Sequence, residues 1–182
     1  KFCQPNVNFI KFYSKIANSG AGIIITGPCN IDKLSNTKKY KNNLLKGENK
    51  VINTYLNTTM KVHTFGSKIF LNLSAFYGRG LSLNKYYKMN LSSSFNYSSD
   101  GEICLRITDG MCREIIESFT NAAIVANKSN FDGVLIDGTL FNILGEFSSN
   151  EFNRRVFGYY SGIETFVNEV VKCVVNKTPT LN

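Results

Sequence analysis

Apolar and polar residues along the chain alternate between two periods, one typical of helices and one typical of buried strands. Between residues 9 and 17, apolar side chains recur at helical spacing, which predicts a helix with one apolar face. Gly20 ends this pattern. The β-branched run at 22–27 (GIIITG) is bounded by glycines, and it predicts a short strand buried on both faces of a parallel sheet. The chain therefore opens with one helix–strand step.

The same step recurs further along the chain. Residues 52–63 share a helical face and precede an apolar run at 69–73, which predicts a second helix and a second strand. An amphipathic stripe at 112–126 predicts a third helix, and the run at 134–136 predicts a third strand. Apolar positions at 163–174 predict a last helix. Strands that alternate with helices in this way indicate a parallel sheet.

A polar segment interrupts the repeat between the second strand and the third helix. It extends from Gly78 to about Gly101, is rich in Ser, Asn and Tyr, and is longer than an ordinary connection. We therefore predict either a functional loop or a flexible segment. After it, Thr108 or Asp109 is suited to cap the third helix.

Periodicity alone leaves two fold classes open, an eight-fold β/α barrel and an open doubly wound sheet. Neither the G-x-G-x-x-G nor the G-x-x-x-x-G-K-[ST] phosphate-binding motif occurs in the sequence, and their absence favours the barrel. Ligands of a barrel bind where its strands end. The candidate site residues therefore lie in 26–27, 72–79 and 137–142.

Composition narrows the class of protein. The 182 residues are 43% apolar, enough for one sizeable core, and they contain no apolar run long enough to span a membrane. We therefore expect a cytoplasmic protein without a membrane partner. The net charge is +8, and the basic residues are only modestly clustered. Lysines between residues 33 and 50 resemble a solvated loop, so we expect no nucleic-acid partner, while a phosphate-bearing ligand remains open. His63 is the only histidine, and we predict no metal site.

The sequence resembles the flavin-dependent old yellow enzyme family, in particular its 2-enoate reductase and 2,4-dienoyl-CoA reductase branch. Residues 12–27 are similar to the first helix and second strand of that family. Residues 62–73 resemble its V-H-x-x-G-S-K-I-F-L-Q-L, and 74–79 its T-A-G-F-G-R. Residues 119–134 resemble F-x-x-A-A-x-x-A-x-x-A-G-F-D-G-V, and 147–159 keep the spacing of the next family segment.

The resemblance implies a partial TIM (β/α)₈ barrel, roughly its N-terminal half, with residues 1–182 forming one incomplete domain. It implies FMN as cofactor, NADH or NADPH as electron donor, and hydride transfer to an activated alkene such as an enone or enoate. The first strand and about the last four β/α units of the family would lie outside this sequence, including the phosphate site for FMN. We expect the chain alone to bind FMN weakly. The oligomeric state stays open.

Three positions are candidate flavin contacts by this resemblance. The family glutamine that hydrogen-bonds the flavin ring falls on Asn72, which keeps the amide on a side chain one methylene shorter. Gly27 and Arg79 are the other two. Arg79 could equally serve as a salt-bridge partner within its loop.

The substrate-binding positions of the family have changed in this chain. Its E-I-H-x-x-H/N motif falls on residues 135–140, so Asp137 and Leu140 occupy the two positions that hold the substrate carbonyl, and Asn142 replaces a tyrosine. An ionised aspartate donates no hydrogen bond, and leucine has no polar atom. Asp137 and Asn142 are nevertheless the candidate catalytic residues, with Asp137 able to donate if it is protonated.

These changes leave alternative functions open. The first is a flavin-dependent oxidoreductase with altered substrate chemistry. The second is a catalytically inactive relative that serves as a flavin-binding or interaction module. The third is an unrelated phosphate-binding barrel, which would bind its ligand without flavin.

Overall fold

Helices and strands alternate along most of the chain. The structure is a computed structural model that describes residues 5–31, 49–75, 78–80 and 90–181. The helices are α1 (Val7–Asn18), α2 (Asn49–His63), α3 (Asp109–Lys128), α4 (Ile143–Phe147) and α5 (Thr165–Lys177). The strands are β1 (Ile23–Ile25), β2 (Cys29–Asn30), β3 (Lys68–Ser74), β4 (Asn90–Ser92), β5 (Asn96–Tyr97), β6 (Ile103–Arg106) and β7 (Gly133–Ile136). Within the described ranges, no helix is long and apolar enough to cross a membrane.

The main sheet has four strands, and all of its pairings are parallel. β3 lies at its centre, with β1 paired along one side and β7 along the other. The short β2 continues beside the end of β3. Helix α2 connects β1 to β3, and α3 follows before β7, so the predicted alternation and parallel pairing are confirmed.

The two faces of this sheet differ in burial. On one face, Ile24 of β1 and Leu71 of β3 are buried in the core against the helices. On the other face, Ile23 is 67% exposed, Ile25 51% and Leu135 42%. The prediction that the first strand is buried on both faces is therefore wrong, because within the described ranges the helices cover only one face. We call the exposed side the inner face of the sheet.

The helix starts follow from local capping. Asn6 accepts a hydrogen bond from the N–H of Phe9 at 3.0 Å and so caps α1. Thr108 accepts from the N–H of Met111 at 3.2 Å, which confirms the predicted cap of α3. Each of these bonds satisfies a backbone donor that the first turn of a helix leaves without an intrahelical partner.

The polar segment is more ordered than its sequence predicted. Residues 90–106 form a three-stranded sheet in the order β4, β6, β5, with β4 parallel and β5 antiparallel to β6. The flexible alternative predicted for this segment is wrong for this part, because short strands rich in Ser and Asn show no apolar alternation. The alternative of a functional loop stays a prediction. Residues 81–89 lie outside the described residues.

A buried arginine ties this small sheet to the rest of the molecule. The guanidinium of Arg155 pairs with Asp109 at 2.6 Å and donates to the carbonyl oxygens of Ser93, at 2.7 Å, and Ile107. It also lies 4.8 Å from the ring centroid of Phe147. One side chain therefore joins β4, the start of α3 and the segment after α4.

Candidate active site

The carboxyl ends of β1, β3 and β7 meet at one edge of the main sheet. Thr26, directly after β1, accepts a hydrogen bond on Oγ1 from the backbone N–H of Asn72 at 3.0 Å. On the other side of β3, the N–H of Asp137 donates to the carbonyl of Leu73 at 2.9 Å. The candidate residues of three strands are thus brought to the edge where ligands of β/α barrels bind.

Asn72 presents an unused acceptor. Its side-chain oxygen Oδ1 is buried and has no hydrogen-bond partner among the described residues. A buried acceptor without a donor costs about 1–3 kcal/mol, so such groups in native proteins call for an explanation. A ligand that brings an N–H to this position would remove the cost.

Gly27 is held by the first helix. Its backbone N–H donates to the hydroxyl of Tyr13 at 2.9 Å. Burial raises the pKa of Tyr13, and the hydrogen bond from Gly27 offsets part of that effect. Because Tyr13 already occupies the Gly27 N–H, the assignment of Gly27 to cofactor binding stays a prediction.

Arg79 is engaged with the small sheet. Its Nε donates to the carbonyl of Tyr97 at 2.8 Å, and its guanidinium carbon lies 3.9 Å from the ring centroid of Phe152. Neither contact is with Asn72 or Asp137. The side chain of Arg79 therefore contacts a carbonyl group and an aromatic ring, and both predicted roles, salt-bridge partner and cofactor contact, stay predictions.

Asp137 and Asn142 lie together with Ser74 in a hydrogen-bonded cluster. Asp137 Oδ2 accepts from Asn142 Nδ2 at 2.6 Å and from Ser74 Oγ at 3.0 Å. Asp137 Oδ1 accepts from the N–H of Thr139 at 3.1 Å. Asn142 Nδ2 also donates to Ser74 Oγ at 3.0 Å. We call Ser74, Asp137 and Asn142 the carboxylate cluster.

The donors of this cluster are all used within it. The single hydroxyl proton of Ser74 and both amide protons of Asn142 have acceptors, and an ionised Asp137 has no proton to donate. Leu140, at the second substrate position of the family motif, is apolar and exposed. The arrangement therefore offers acceptors to a ligand and leaves no side-chain donor of the cluster free.

Comparison with known proteins gives the family of the chain. Residues 4–179 match the NADH:flavin oxidoreductase / NADH oxidase family. The chain belongs to this family. FMN and NAD(P)H are the cofactors of the family, as predicted from the resemblance.

Two curated relatives illustrate its place in the NADH:flavin oxidoreductase family. Cinnamate reductase from Clostridium sporogenes is 32% identical over 179 residues, which cover 92% of this chain and 26% of the relative. A metal reductase from Desulforamulus reducens is 28% identical over 172 residues, covering 91% of this chain and 25% of the relative. The chain thus spans about a quarter of the length of the curated relatives it matches.

Solved structures identify the fold. The old yellow enzyme homologue from Zymomonas mobilis superposes with a TM-score of 0.76 at 20% identity, covering 95% of this chain and 51% of that one. Morphinone reductase in complex with tetrahydroNAD gives a TM-score of 0.75 at 20% identity, with 97% and 53% covered. The fold is a partial TIM barrel, and the predicted fold class is confirmed.

The unused acceptor of Asn72 fits the flavin of this family. The pyrimidine ring of a flavin carries one N–H donor between two carbonyl groups, and Asn72 Oδ1 lacks a donor among the described residues. Asn72 also lies in β3, on the inner face that the helices leave open. The residue is thus chemically suited to hold the ring edge of FMN.

Two features that the sequence did not reveal fix helix α4, which begins directly after Asn142 of the carboxylate cluster. Gly145 of α4 is packed so tightly that a Cβ there would lie 2.7 Å from the carbonyl oxygen of Gly138. The carboxylate of buried Glu146 accepts from the N–H of Ser93 at 3.1 Å, from the hydroxyl of Ser92 and from the N–H of Arg79. Burial raises the pKa of Glu146, and these hydrogen bonds counter it. The contacts of Glu146 are long-range and have no local sequence signal, whereas Gly145 packs against a turn only six or seven residues away.

Proposed function

We propose that this chain is part of an FMN-dependent oxidoreductase of the ene-reductase type, which transfers a hydride to an activated alkene of the enone or enoate class. NADH or NADPH would supply the electrons. The observation that carries this proposal is the buried, unpartnered Oδ1 of Asn72 at the end of β3. The match with cinnamate reductase, a curated relative, supports an alkene substrate.

The proposal divides the candidate residues between two sides of the site. Asn72, Gly27 and Arg79 belong to the flavin side, where Asn72 Oδ1 would accept the ring N–H. Asp137 and Asn142 belong to the substrate side. FMN, when bound, supplies the hydride chemistry, and the protein holds the ring and orients the substrate.

Carbonyl polarisation makes a specific demand on the substrate side. Hydride transfer to an activated alkene builds negative charge on the carbonyl oxygen, which a hydrogen-bond donor must stabilise. The side-chain donors of Ser74 and Asn142 are already used within the described cluster, so this donor would come from another part of the complete site.

The visible absorption spectrum of the whole protein to which this chain belongs, extended to its natural ends and supplied with FMN, tests the proposal. We expect flavin bands that remain after gel filtration, bleach with NADH or NADPH and return when an enone is added. Asn72→Ala should weaken FMN binding and Asn72→Gln should retain it, because glutamine preserves the amide acceptor. A colourless protein that takes up no FMN would exclude a flavoenzyme.

A catalytically inactive, flavin-binding relative is the second candidate. The occupied donors of Ser74 and Asn142 favour it, as does the apolar Leu140 in place of a donor. The same spectrum separates the two functions. Bound flavin that NADH reduces but no enone reoxidises would identify the inactive relative.

A further inference from the structure

We propose that the substrate side of this site binds a cationic, hydrogen-bond-donating group, such as a protonated amine, through the carboxylate of Asp137, and discriminates against carboxylate ligands. This inference rests on the proposed function, since it concerns the substrate side of the same site. It narrows the proposed substrate class from enones and enoates to enones that carry a positive or N–H-bearing group, and it disfavours the enoates.

The strand register places the carboxylate beside the proposed flavin position. Asn72 of β3 lies opposite Leu135 of β7. Ser74 and Asp137 each lie two residues further along, so all four side chains belong to the same face of the sheet. The hydrogen bond between Ser74 Oγ and Asp137 Oδ2 at 3.0 Å agrees with this register. Asn72 and Asp137 are therefore diagonal neighbours on the inner face of the sheet.

Asp137 Oδ1 can accept a further hydrogen bond from a ligand. Two of the three hydrogen bonds to Asp137 reach Oδ2, while Oδ1 accepts only the N–H of Thr139, in a solvent-exposed bond. A carboxylate offers about four lone-pair sites, so Oδ1 can accept a further donor. A ligand with an N–H group can use that site, whereas a ligand carbonyl cannot.

No positive charge of the described chain neutralises this carboxylate. The ion pairs formed by the described residues join Asp132 with His63 and Lys68, and Asp109 with Arg155. The partners of Asp137 are two neutral side chains and one backbone N–H. A cationic ligand would therefore gain a charge-assisted hydrogen bond, and an anionic ligand would meet an unpaired negative charge.

The surroundings of Asp137 suit a ligand with an apolar body. Leu135 precedes it on the same face, and Leu140 and Phe141 follow it, and all three expose much of their side chains. Exposed apolar side chains beside one charged acceptor match a hydrocarbon body with a cationic head.

Three ligands with one skeleton and different charges test this inference. Cinnamylamine is cationic at pH 7, cinnamyl alcohol is neutral and cinnamate is anionic. Isothermal titration with the full chain, with and without bound FMN, should give a dissociation constant for the amine at least about tenfold lower than for cinnamate at low salt. Raising the ionic strength should bring the dissociation constants of the amine and of cinnamate closer together. Equal or tighter binding of cinnamate, or no measurable binding of the amine, would overturn the inference.

Variants that remove one negative charge test whether Asp137 causes the preference for the amine. Asp137→Asn should abolish the preference for the amine, whereas Glu117→Gln, which removes an exposed carboxylate from α3 on the helical side of the sheet, should preserve it. An unchanged preference in folded Asp137→Asn would also overturn the inference. If Asp137→Asn fails to fold, the inference is decided by the unaltered protein. The test is then the ratio of its dissociation constants for cinnamate and the amine, and the salt dependence of that ratio. FMN uptake is read separately from flavin absorbance, so failure of the proposed function remains distinguishable.

Discussion

At the scale of single residues, the carboxylate of Asp132 has a structural role. It lies before β7, at the opposite end of the sheet from the candidate site. Its side chain accepts hydrogen bonds from Lys68 Nζ at 2.7 Å, from the N–H of Ile69 at 2.8 Å and from His63 Nε2 at 2.8 Å. It therefore joins the end of α2, the start of β3 and the start of β7.

Asp132 should make stability depend on pH. Burial raises its pKa, but the hydrogen bonds from Lys68, Ile69 and His63 outweigh this and hold the pKa below its usual value. A lowered pKa in the folded state contributes stability above the unfolded pKa of about 4, and this contribution is lost as the pH falls through the folded pKa. We expect Asp132→Asn to lower the free energy of unfolding by about 1–3 kcal/mol at pH 7 and by less at pH 3. Urea denaturation at both pH values measures this, and an equal loss at both would contradict it.

Arg155 should be among the least replaceable residues. Its side chain is fully buried, and Arg155→Leu would leave Asp109 and two carbonyl groups without their donor. Removing one partner of a buried ion pair costs about 3–5 kcal/mol. The exposed neighbour Arg154, which donates to Phe95 and Asn96, is a matched control, and Arg154→Leu should cost below about 1 kcal/mol. Similar losses of unfolding free energy for both variants would refute this assignment.

Residues that act on near neighbours in the sequence could be predicted from it, whereas residues that act on distant parts of the chain could not. Thr108 was predicted as a helix cap because its partner lies three residues away. Arg155 and Glu146 act on residues about 46 to 67 positions distant, and no local pattern marks such pairs. Ser74 could have been found, since strand alternation places it on the same face as Asn72.

At the scale of elements, predictability followed length and periodicity. Helices α1, α2, α3 and α5 span at least 12 residues each, and their apolar stripes were recognisable. Helix α4 has only five residues, too few to establish a helical period. The strands of the small sheet have two to four residues each, so they offered no alternation to detect. The missed elements are the ones that hold the carboxylate cluster and the small sheet together.

The close packing of α4 should be sensitive to a single methyl group. A Cβ at Gly145 would overlap the carbonyl oxygens of Gly138 and Thr139, whereas a Cβ at Gly138 would meet nothing within 4 Å. We expect Gly145→Ala to destabilise the protein by about 1–3 kcal/mol and to shift the turn that carries the N–H of Thr139. Gly138→Ala is the matched control and should be nearly neutral. Thermal unfolding and the NMR shift of the Thr139 amide report both effects, and an unchanged melting temperature for Gly145→Ala would disprove the overlap.

At the scale of the whole molecule, the inner face of the sheet is the largest departure from the sequence prediction. Periodicity correctly indicated the strands, but it could not show that only one face of them would be covered. The chain covers 51% and 53% of two structurally similar chains, so it corresponds to only part of those barrels. The exposed side chains of Ile23, Ile25 and Leu135 follow from that incompleteness.

Adjacent isoleucines of β1 provide a direct test of this asymmetry. Ile24 is buried against the helices, whereas Ile25 is exposed on the inner face. Threonine keeps the β-branch and the high β-propensity but is smaller and polar, so a substitution changes polarity and volume while the strand preference stays the same. Ile24→Thr should therefore lower the free energy of unfolding by about 1–3 kcal/mol, because it buries a hydroxyl group in the core. Ile25→Thr should change it by less than about 0.5 kcal/mol.

The same two variants should have different effects on stability and on self-association. An exposed apolar face promotes self-association and binding of hydrophobic dyes, so Ile25→Thr should reduce both, and Ile24→Thr should not. Urea denaturation gives the stability of each variant, and sedimentation velocity with dye fluorescence gives the association. Equal destabilisation by the two substitutions would mean that the inner face of the 182-residue chain is covered in solution, by a second copy or by a rearrangement of the sheet. A concentration-dependent loss in Ile25→Thr would identify the second copy, because only association depends on protein concentration.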